Sequence, residues 1–212
     1  MISNKAKGMS SKEHIRHSYN TGEQGEALFA KVMEARGIEF RSANESDNKK
    51  RHVDFWVGPK YAQVGVDVKG LKASHKKGYV VVEGKNVQGK DGWCAPSTAA
   101  GLIAFQFEDC FIVVPKDLLW DYVEPFLFGE NAETYEGKFD VKGVHHKKYT
   151  RAGRNDLMTI ISREELESMQ HIKYNFDGGI IDKKGRVTYV DPPNQPNPAS
   201  ENPPNSWDLD IS

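Results

Sequence analysis

Two β-strands and the turn between them are predicted by the stretch HVDFWVGPKYAQVGVDVK, residues 52–69. Apolar and polar residues alternate in 52–57 and again in 62–69, as in strands that have one buried face. Gly58 and Pro59, which lie between the two runs, favour a turn. We therefore expect two neighbouring strands, and the remaining elements are placed around them.

Side-chain alternation gives each of these strands an apolar face and a polar face, because successive side chains point to opposite sides. Six residues make up the apolar face: Val53, Phe55, Val57, Val64, Val66 and Val68. Asp54, Asp67 and Lys69 belong to the other face. If the two strands pair as a hairpin, the Asp54 and Asp67 carboxylates come close together.

Two acids and a lysine on one strand face are costly unless they are paired or used. Carboxylates at close range repel each other, and a hard divalent cation with oxygen ligands relieves that repulsion. Lys69 beside them could orient or activate a water, or neutralise charge that develops on a phosphate. Glu26, on the edge of the apolar stripe of the preceding helix, offers a third acid. The alternative is a surface salt bridge between Asp67 and Lys69, with Asp54 capping a turn.

These motifs resemble the PD-(D/E)xK nuclease superfamily over roughly the first 130 residues. The matching residues are Asp54 in VDFWV and the DVK of residues 67–69 in VGVDVKG. The GEQGE of residues 22–26 is similar to the GxxxE helix start of archaeal-type Holliday junction resolvases. The chain departs from the commoner pattern in carrying Val53 where relatives have proline, and an aspartate at position 67 in place of glutamate.

The resemblance implies a site and a reaction. Glu26, Asp54 and Asp67 would bind Mg²⁺, with Mn²⁺ able to substitute, and Lys69 would assist the attack of water on a phosphodiester. It also implies an α/β fold with a restriction-endonuclease-like core, in the order αβββαβ, whose mixed central sheet is flanked by helices. Gln88 is the nearest candidate for the glutamine that many relatives carry after the lysine strand.

Local patterns predict the other elements. A helix begins at Thr21 and stops at Gly37, and a second begins near Arg163, where Ser162 and Glu165 form a capping box. Another helix is predicted over residues 117–128, and residues 44–51 are predicted to be a polar turn. Residues 96–101 are expected to be a short helix and residues 72–90 an inserted hairpin. The other predicted strands are residues 38–42, 79–83, 102–107, 110–114 and 157–161.

Composition divides the chain into four parts. Residues 1–19 are predicted to be a flexible leader, 20–128 a nuclease-like core, and 129–190 a small basic C-terminal extension packed on the core. Residues 191–212, rich in proline and asparagine, are predicted to be a disordered acidic tail. That tail is either an inert solubilising segment, a docking peptide for a protein partner, or a mask over the site.

The charge distribution is compatible with nucleic acid. The formal net charge is −1, but 191–212 holds four acids and no Lys or Arg, so the remaining chain has a net charge of +3. The basic residues cluster, and such clusters can follow a phosphate backbone. The predicted nucleic-acid contacts are Lys72, His75, Lys76, Lys77, Lys147, Lys148, Arg151 and Arg154. The adjacent pair His145 and His146 would contact phosphate or simply be solvated.

Several classes of protein are disfavoured. Two cysteines without CxxC spacing argue against a disulfide framework, and the polar N-terminus lacks a secretory signal, so a cytoplasmic location is expected. The phosphate loop of NTPases, GxxxxGK[ST], does not occur in the sequence.

The expected activity is Mg²⁺-dependent hydrolysis of DNA, with junction-resolvase-like selectivity as one form of it and RNA left open as a substrate. One rival is a restriction-type duplex endonuclease, whose reader would lie in residues 139–174. Another is a nucleic-acid-binding protein that keeps the fold without cutting. A homodimer would provide the two sites that breaking two strands requires.

Overall fold

The computed structural model describes residues 11–176, together with the short strand segments 180–181 and 187–188. The chain divides into two compact units, Met1–Phe176 and Asp177–Ser212. Residues 1–10 of the predicted leader and the predicted tail 191–212 lie outside the described residues.

The described residues form β-strands, α-helices and a 3-10 turn. The strands are β1 (Phe40–Ser42), β2 (Phe55–Val57), β3 (Val64–Lys69), β4 (Tyr79–Lys85), β5 (Leu102–Gln106), β6 (Cys110–Pro115), β7 (Leu157–Ser162), β8 (Ile172–Asn175), β9 (Ile180–Ile181) and β10 (Val187–Thr188). The α-helices are α1 (Ser11–Ala35), α2 (Glu45–Arg51), α3 (Lys116–Phe128), α4 (Val141–Val144) and α5 (Arg163–Ser168).

A six-stranded mixed sheet with the order β1-β2-β3-β5-β6-β8 is the centre of the first unit. The pairs β1–β2, β2–β3, β5–β6 and β6–β8 are antiparallel, whereas β3 and β5 run parallel with Asp67 opposite Ile103. The expected α/β class with a mixed central sheet is therefore confirmed. In the second unit, β9 and β10 form an antiparallel pair.

Helix α1 covers one side of this sheet through the predicted apolar stripe. Leu28, Phe29, Val32 and Met33 are all buried, and the Phe29 ring lies 5.3 Å from that of Phe111. The helix begins ten residues before the predicted start and covers residues 11–19 of the predicted flexible leader. That stretch has no glycine or proline to stop a helix.

The predicted hairpin within residues 72–90 is wrong, because β4 pairs instead with β7, far along the chain. The antiparallel register runs from Tyr79 opposite Ser162 to Glu83 opposite Met158. Val80 and Val82 of β4 are fully buried. The extension that follows residue 128 thus supplies a strand of its own to β4, and through β8 it also supplies the sixth strand of the central sheet.

The α-helix expected between β3 and β5 is missing, although every residue between these two strands is described. A single 3-10 turn, His75–Lys77, and β4 occupy that part of the chain. Residues 96–101 form turns, not the predicted short helix. The Lys116 ammonium group holds these turns by donating to the carbonyl oxygens of Ala95, Pro96 and Thr98 at 3.2, 3.3 and 2.6 Å.

Local capping explains two further elements. Residues 45–51, predicted as part of a polar turn, form α2 because the Asn44 side chain accepts a hydrogen bond from the Asp47 amide at 2.9 Å. The capping box predicted at Ser162 and Glu165 is confirmed at the start of α5. Among the helices of residues 11–176, none has the length and apolar character needed to cross a membrane.

Candidate active site

The pairing of β2 with β3 brings Asp54 and Asp67 together, as the hairpin predicts. Phe55 lies opposite Val66 in the antiparallel register. Asp54, one residue before β2, donates its amide to the Val66 carbonyl at 2.8 Å. Its carboxylate Oδ2 accepts a hydrogen bond from the Val68 amide at 2.7 Å. The carboxylate of Asp54 is therefore fixed on the backbone of the strand that carries Asp67 and Lys69.

Helix α2 holds the second oxygen of Asp54. The Asn48 side chain donates to Asp54 Oδ1 at 2.6 Å. The chain then passes through His52 in a left-handed conformation, with φ 54° and ψ 51°. Because of this bend the strand alternation does not reach back to Val53, which packs with Ile103 in the cluster on the Asp67 face. The predicted placement of Val53 with Phe55 is therefore wrong.

Asp67 and Lys69 form a buried ion pair and not a surface salt bridge. Asp67 is 4% exposed, and Lys69 Nζ lies 2.6 Å from its Oδ2. This oxygen is buried, and the Lys69 ammonium group contacts it as an ion-pair partner. Lys69 Nζ also lies 4.5 Å from the centroid of the Trp93 ring, which holds the ammonium group by a cation–π contact.

Glu26 reaches the site because α1 crosses β3 at very short range. A Cβ atom on Gly25 would lie 2.6 Å from the Gly70 Cα, and one on Gly70 would lie 2.3 Å from the Thr21 carbonyl oxygen. Two glycines therefore allow the backbones to touch directly after Lys69. The half-buried Glu26 is the next residue of the helix, whereas Glu23, one turn earlier, is exposed.

Burial raises the pKa values of all three acids. Burial first, and then the charges of Asp54 and Glu23, raise the pKa of Glu26 to about 7, against the opposing charge of Lys69. Burial and the Asp67 charge raise the pKa of Asp54 to about 6. Burial also raises the pKa of Asp67, although Lys69 opposes it. Repulsion from a neighbouring acid adds to the effect of burial at Glu26 and Asp54.

A cavity of about 290 Å³ adjoins this cluster beyond Trp93. Its lining consists of Lys72, Val81, Glu83, Trp93, Phe139, Arg151 and Met158. Lys72 is exposed into the cavity, yet the enclosing walls and the nearby Lys69 charge lower its pKa. Burial raises the pKa of Glu83, which Lys69 and Arg151 oppose. Glu83 is thus a fourth acid within the electrostatic range of Lys69.

The residues predicted to contact nucleic acid differ in how exposed they are. His75 is 4% exposed, and its Nδ1 lies 2.8 Å from the Gln106 carbonyl oxygen. Burial lowers the pKa of His75 to about 4. His75 is therefore a buried group in this structure, and its contact with nucleic acid stays a prediction. Lys76 and Lys77, its neighbours on the 3-10 turn, are exposed.

The second basic stretch is partly neutralised by acids that lie elsewhere in the sequence. Lys147 Nζ lies 2.6 Å from a carboxylate oxygen of Glu133. Arg151 forms an ion pair with the fully buried Asp156 while lining the cavity. Lys148 is half-buried, and Arg154 is exposed.

Sequence reasoning missed the groups that hold the acids and the lysine. Asn48 is predicted to lie in a turn, and its contact with Asp54 depends on α2, which the polar composition of that stretch conceals. Glu83 carried a signal, an acid at the end of the valine-rich run of β4. Gln88 lies in an exposed turn, where its amide donates to the Asn86 side chain at 2.9 Å.

Comparison with known proteins returns no match to a family model, to a curated protein or to a solved structure. The interpretation of the site therefore rests on the chemistry of its own residues.

Proposed function

We propose that this protein is a divalent-metal-dependent nuclease of the PD-(D/E)xK kind, which hydrolyses phosphodiester bonds of DNA. The observation that supports this most strongly is the convergence of Asp54, Asp67 and Lys69 on two paired strands, with Glu26 supplied by the helix that crosses them. These are the residue types that the reaction needs, at the positions of the motif.

The donor set suits Mg²⁺, and Mn²⁺ as its substitute. Glu26, Asp54 and Asp67 offer carboxylate oxygens, the ligands that hard divalent cations prefer. Asp67 Oδ2 is buried, and the cation that contacts it is Lys69 Nζ at 2.6 Å. Burial, and after it the charge of a neighbouring acid, raises the pKa values of Glu26 and Asp54. A cation in this place would add positive charge beside the carboxylates and reduce their repulsion.

Each residue of the site would have its own role in the hydrolysis of the phosphodiester. A bound Mg²⁺ supplies the positive charge and Lewis acidity that stabilise a phosphodiester under attack. Asp54, fixed by Asn48 and the Val68 amide, and Asp67, fixed on β3, would hold it in place. Lys69 Nζ, steadied over Trp93, would donate a hydrogen bond to the attacking water or to the phosphate oxygen.

The cavity beyond Trp93 supports a polyanionic substrate, because Lys72 and Arg151 line it next to the acids. Exposed Lys76 and Lys77 lie on the adjoining 3-10 turn, and Lys77 lines a neighbouring pocket with Lys72. These cations would position a phosphate backbone without reading its sequence.

The test is cleavage by the full-length chain. Labelled four-way junctions, linear duplex, single-stranded DNA and RNA are incubated with Mg²⁺ or Mn²⁺, and products are resolved on denaturing gels. The wild type is compared with Asp67→Asn and Lys69→Met, and with Asp121→Asn, which alters an exposed acid of α3 as a matched control. We expect metal-dependent cutting of DNA by the wild type and the control, with a loss of roughly 100-fold or more in the two site variants.

The preferred substrate separates the forms of the proposal, since a junction cutter would favour the four-way junction and a restriction-type enzyme the duplex. Cutting that survives in both Asp67→Asn and Lys69→Met would contradict the assigned site. Binding of DNA that is equal in wild type and Asp67→Asn, without cutting of any substrate, would establish the non-cleaving alternative.

A further inference from the structure

Two histidines and a glutamate converge near the C-terminal end of β7, in a cluster that the proposed nuclease chemistry does not use. His145 and His146 follow α4 directly, and Glu165 lies in the first turn of α5. One ligand atom from each residue, a ring nitrogen or a carboxylate oxygen, lies within 4.8 Å of the other two. From sequence, this histidine pair is predicted either to contact phosphate or to be solvated.

The two imidazole rings present the same atom to the glutamate. His145 Nε2 lies 2.9 Å from Glu165 Oε2, and His146 Nε2 contacts Glu165 Oε1. The rings are stacked on each other, with centroids 3.9 Å apart. His146 also stacks on Phe126 at 4.4 Å, and Tyr79 lies edge-on to His145 at 5.6 Å. Aromatic packing therefore holds both rings in the orientation that aims Nε2 at the carboxylate.

The carboxylate of Glu165 is itself fixed by donors that do not belong to the cluster. The Tyr122 hydroxyl donates to Oε1 at 2.6 Å, and the Ser162 amide donates to Oε2 at 2.6 Å. A ligating carboxylate that is oriented by further hydrogen bonds is usual in protein metal sites.

The backbone at His146 departs from ordinary geometry to achieve this arrangement. Its φ is 61°, in the left-handed region that residues with a side chain seldom occupy. Its amide nevertheless donates to the Ile160 carbonyl of β7 at 3.1 Å. Anchoring to β7 and the unusual φ together turn both rings to the same side of the loop, which consecutive residues in an extended chain would not do.

We propose that His145, His146 and Glu165 bind a single transition-metal ion, with Zn²⁺ as the expected occupant, through two imidazole nitrogens and one carboxylate oxygen. Two nitrogen ligands and one oxygen ligand suit Zn²⁺ and similar ions, whereas Mg²⁺ prefers oxygen alone. Small side-chain rotations would bring the three ligand atoms to the separations of a shared ion.

The remaining coordination position would face solvent. The side chains of His145, His146 and Glu165 are 31%, 37% and 19% exposed, so water can complete the site. Three protein ligands and one open position are the pattern of zinc sites that bind an exchangeable ligand. The site does not depend on the proposed nuclease function, because it shares no residue with the acids around Lys69.

Co²⁺ is the probe, since it replaces Zn²⁺ and its visible absorption reports the ligands. The full-length protein is stripped of metal with chelator, freed of the chelator and titrated with Co²⁺ in the presence of excess Mg²⁺. We expect one equivalent to bind to the wild type. His146→Gln and Glu165→Gln should weaken binding about 10-fold or more, because each removes a ligand while keeping an amide in its place.

Two control variants distinguish Co²⁺ bound at this site from Co²⁺ bound elsewhere on the protein. His171→Gln alters a half-buried histidine that lies outside the cluster, with its Nδ1 2.9 Å from the Met169 carbonyl oxygen, and Asp67→Asn alters the nuclease site. Both should bind Co²⁺ as the wild type does. No stoichiometric uptake by the wild type, or uptake unaltered in both ligand variants, would overturn the proposal.

Circular dichroism would show whether a variant fails to fold. A measurement on the wild type alone tests the site without any variant. Pulsed electron paramagnetic resonance of the Cu²⁺-loaded protein reports coordinated imidazole nitrogens directly. Two coupled imidazoles are expected in the wild type, and the absence of any coupled imidazole would overturn the site independently of every substitution.

Discussion

Burial and a neighbouring charge have opposite effects on the pKa of Asp67. Its side chain is almost completely enclosed, which raises its pKa, while Lys69 at 2.6 Å lowers it. Asp54 and Glu26 add negative charge to the same enclosure, and Lys69 is the cation in direct contact with Asp67. In a metal-free protein, the folded state therefore favours the protonated forms of the acids more than the unfolded state does.

The first prediction concerns the pH dependence of stability without metal. The folded pKa of Glu26, about 7, lies above its ordinary value of 4.5. Its stabilising contribution is therefore complete below pH 4.5 and is lost as the pH rises through about 7. In chelator, we expect the Tm of the wild type to fall relative to that of Glu26→Gln across this interval. Thermal unfolding followed by circular dichroism measures the difference.

The difference in Tm between wild type and Glu26→Gln reports on Glu26 alone. The pKa values of His52 and His75 are also shifted, but both histidines are present in both proteins. Glu34→Gln, on the exposed surface of α1, should give a curve parallel to that of the wild type. Parallel curves for wild type and Glu26→Gln would contradict the close approach of the acids.

Sequence could identify the acids and Lys69, but not the side chains that orient them. Strand alternation assigns Asp54, Asp67 and Lys69 to one side because that rule depends on neighbours in the chain. Asn48 and Trp93 reach the same atoms through tertiary folding, which leaves no periodic trace. His75 is surrounded by lysines in the sequence, which favours a surface position, yet Phe105 and Phe107 enclose it.

The crossing of α1 over the end of β3 determines where Glu26 lies. Gly25 and Gly70 touch at this crossing, so the first residues after Lys69 pass directly beneath the helix. The GEQGE motif, residues 22–26, thus acquires a structural meaning. Its second glycine, Gly25, permits the close approach of α1 to Gly70, and its glutamate, Glu26, lies next to that contact. A Cβ on Gly22, by contrast, would meet nothing within 4 Å.

The second prediction uses these two glycines as a matched pair. Gly25→Ala places a methyl group against the Gly70 backbone, so α1 must move away, with a net loss of roughly 1–3 kcal/mol in the free energy of unfolding. Gly22→Ala meets open space in the same helix and should gain up to about 1 kcal/mol from helix propensity. Urea denaturation measures both. Equal effects of the two substitutions would contradict the crossing.

Local elements could be predicted from sequence where the determinants are adjacent in the chain. The capping box at Ser162 and the apolar stripe of α1 are such cases, and both are confirmed. The partner of β4 could not be predicted, since β7 lies more than 70 residues later and strand pairing leaves little local signal. Helix α2 was missed because its polar residues have the composition of a turn, and the cap at Asn44 decides the outcome.

At the scale of the whole molecule, the predicted boundary after residue 128 does not separate two independent bodies. The chain beyond it supplies β7, where Ile160 and Ile161 are fully buried, and β8 at the edge of the central sheet. The compact unit runs to Phe176, which packs on Phe111 with ring centroids 5.5 Å apart. The core and most of the extension are one folding unit.

The third prediction follows from this continuity. A chain that ends at Gly179 retains every strand of the six-stranded sheet and should unfold cooperatively. A chain that ends at Phe128 lacks β7 and β8, leaves β4 unpaired and should not fold. Circular dichroism and thermal unfolding distinguish them. A folded shorter chain would contradict the role assigned to the β4–β7 pair.

The response of stability to Mg²⁺ at neutral pH tests the acid cluster most directly, because it needs no knowledge of the substrate. Binding to the folded state raises the Tm by mass action. The site proposed at His145, His146 and Glu165 would not compete for Mg²⁺, which prefers oxygen ligands. We predict that Mg²⁺ raises the Tm of the wild type and of Asp121→Asn, and leaves that of Asp67→Asn unchanged. An equal rise in Asp67→Asn, or no rise in the wild type, would contradict a divalent-metal centre built on Asp54, Asp67 and Glu26.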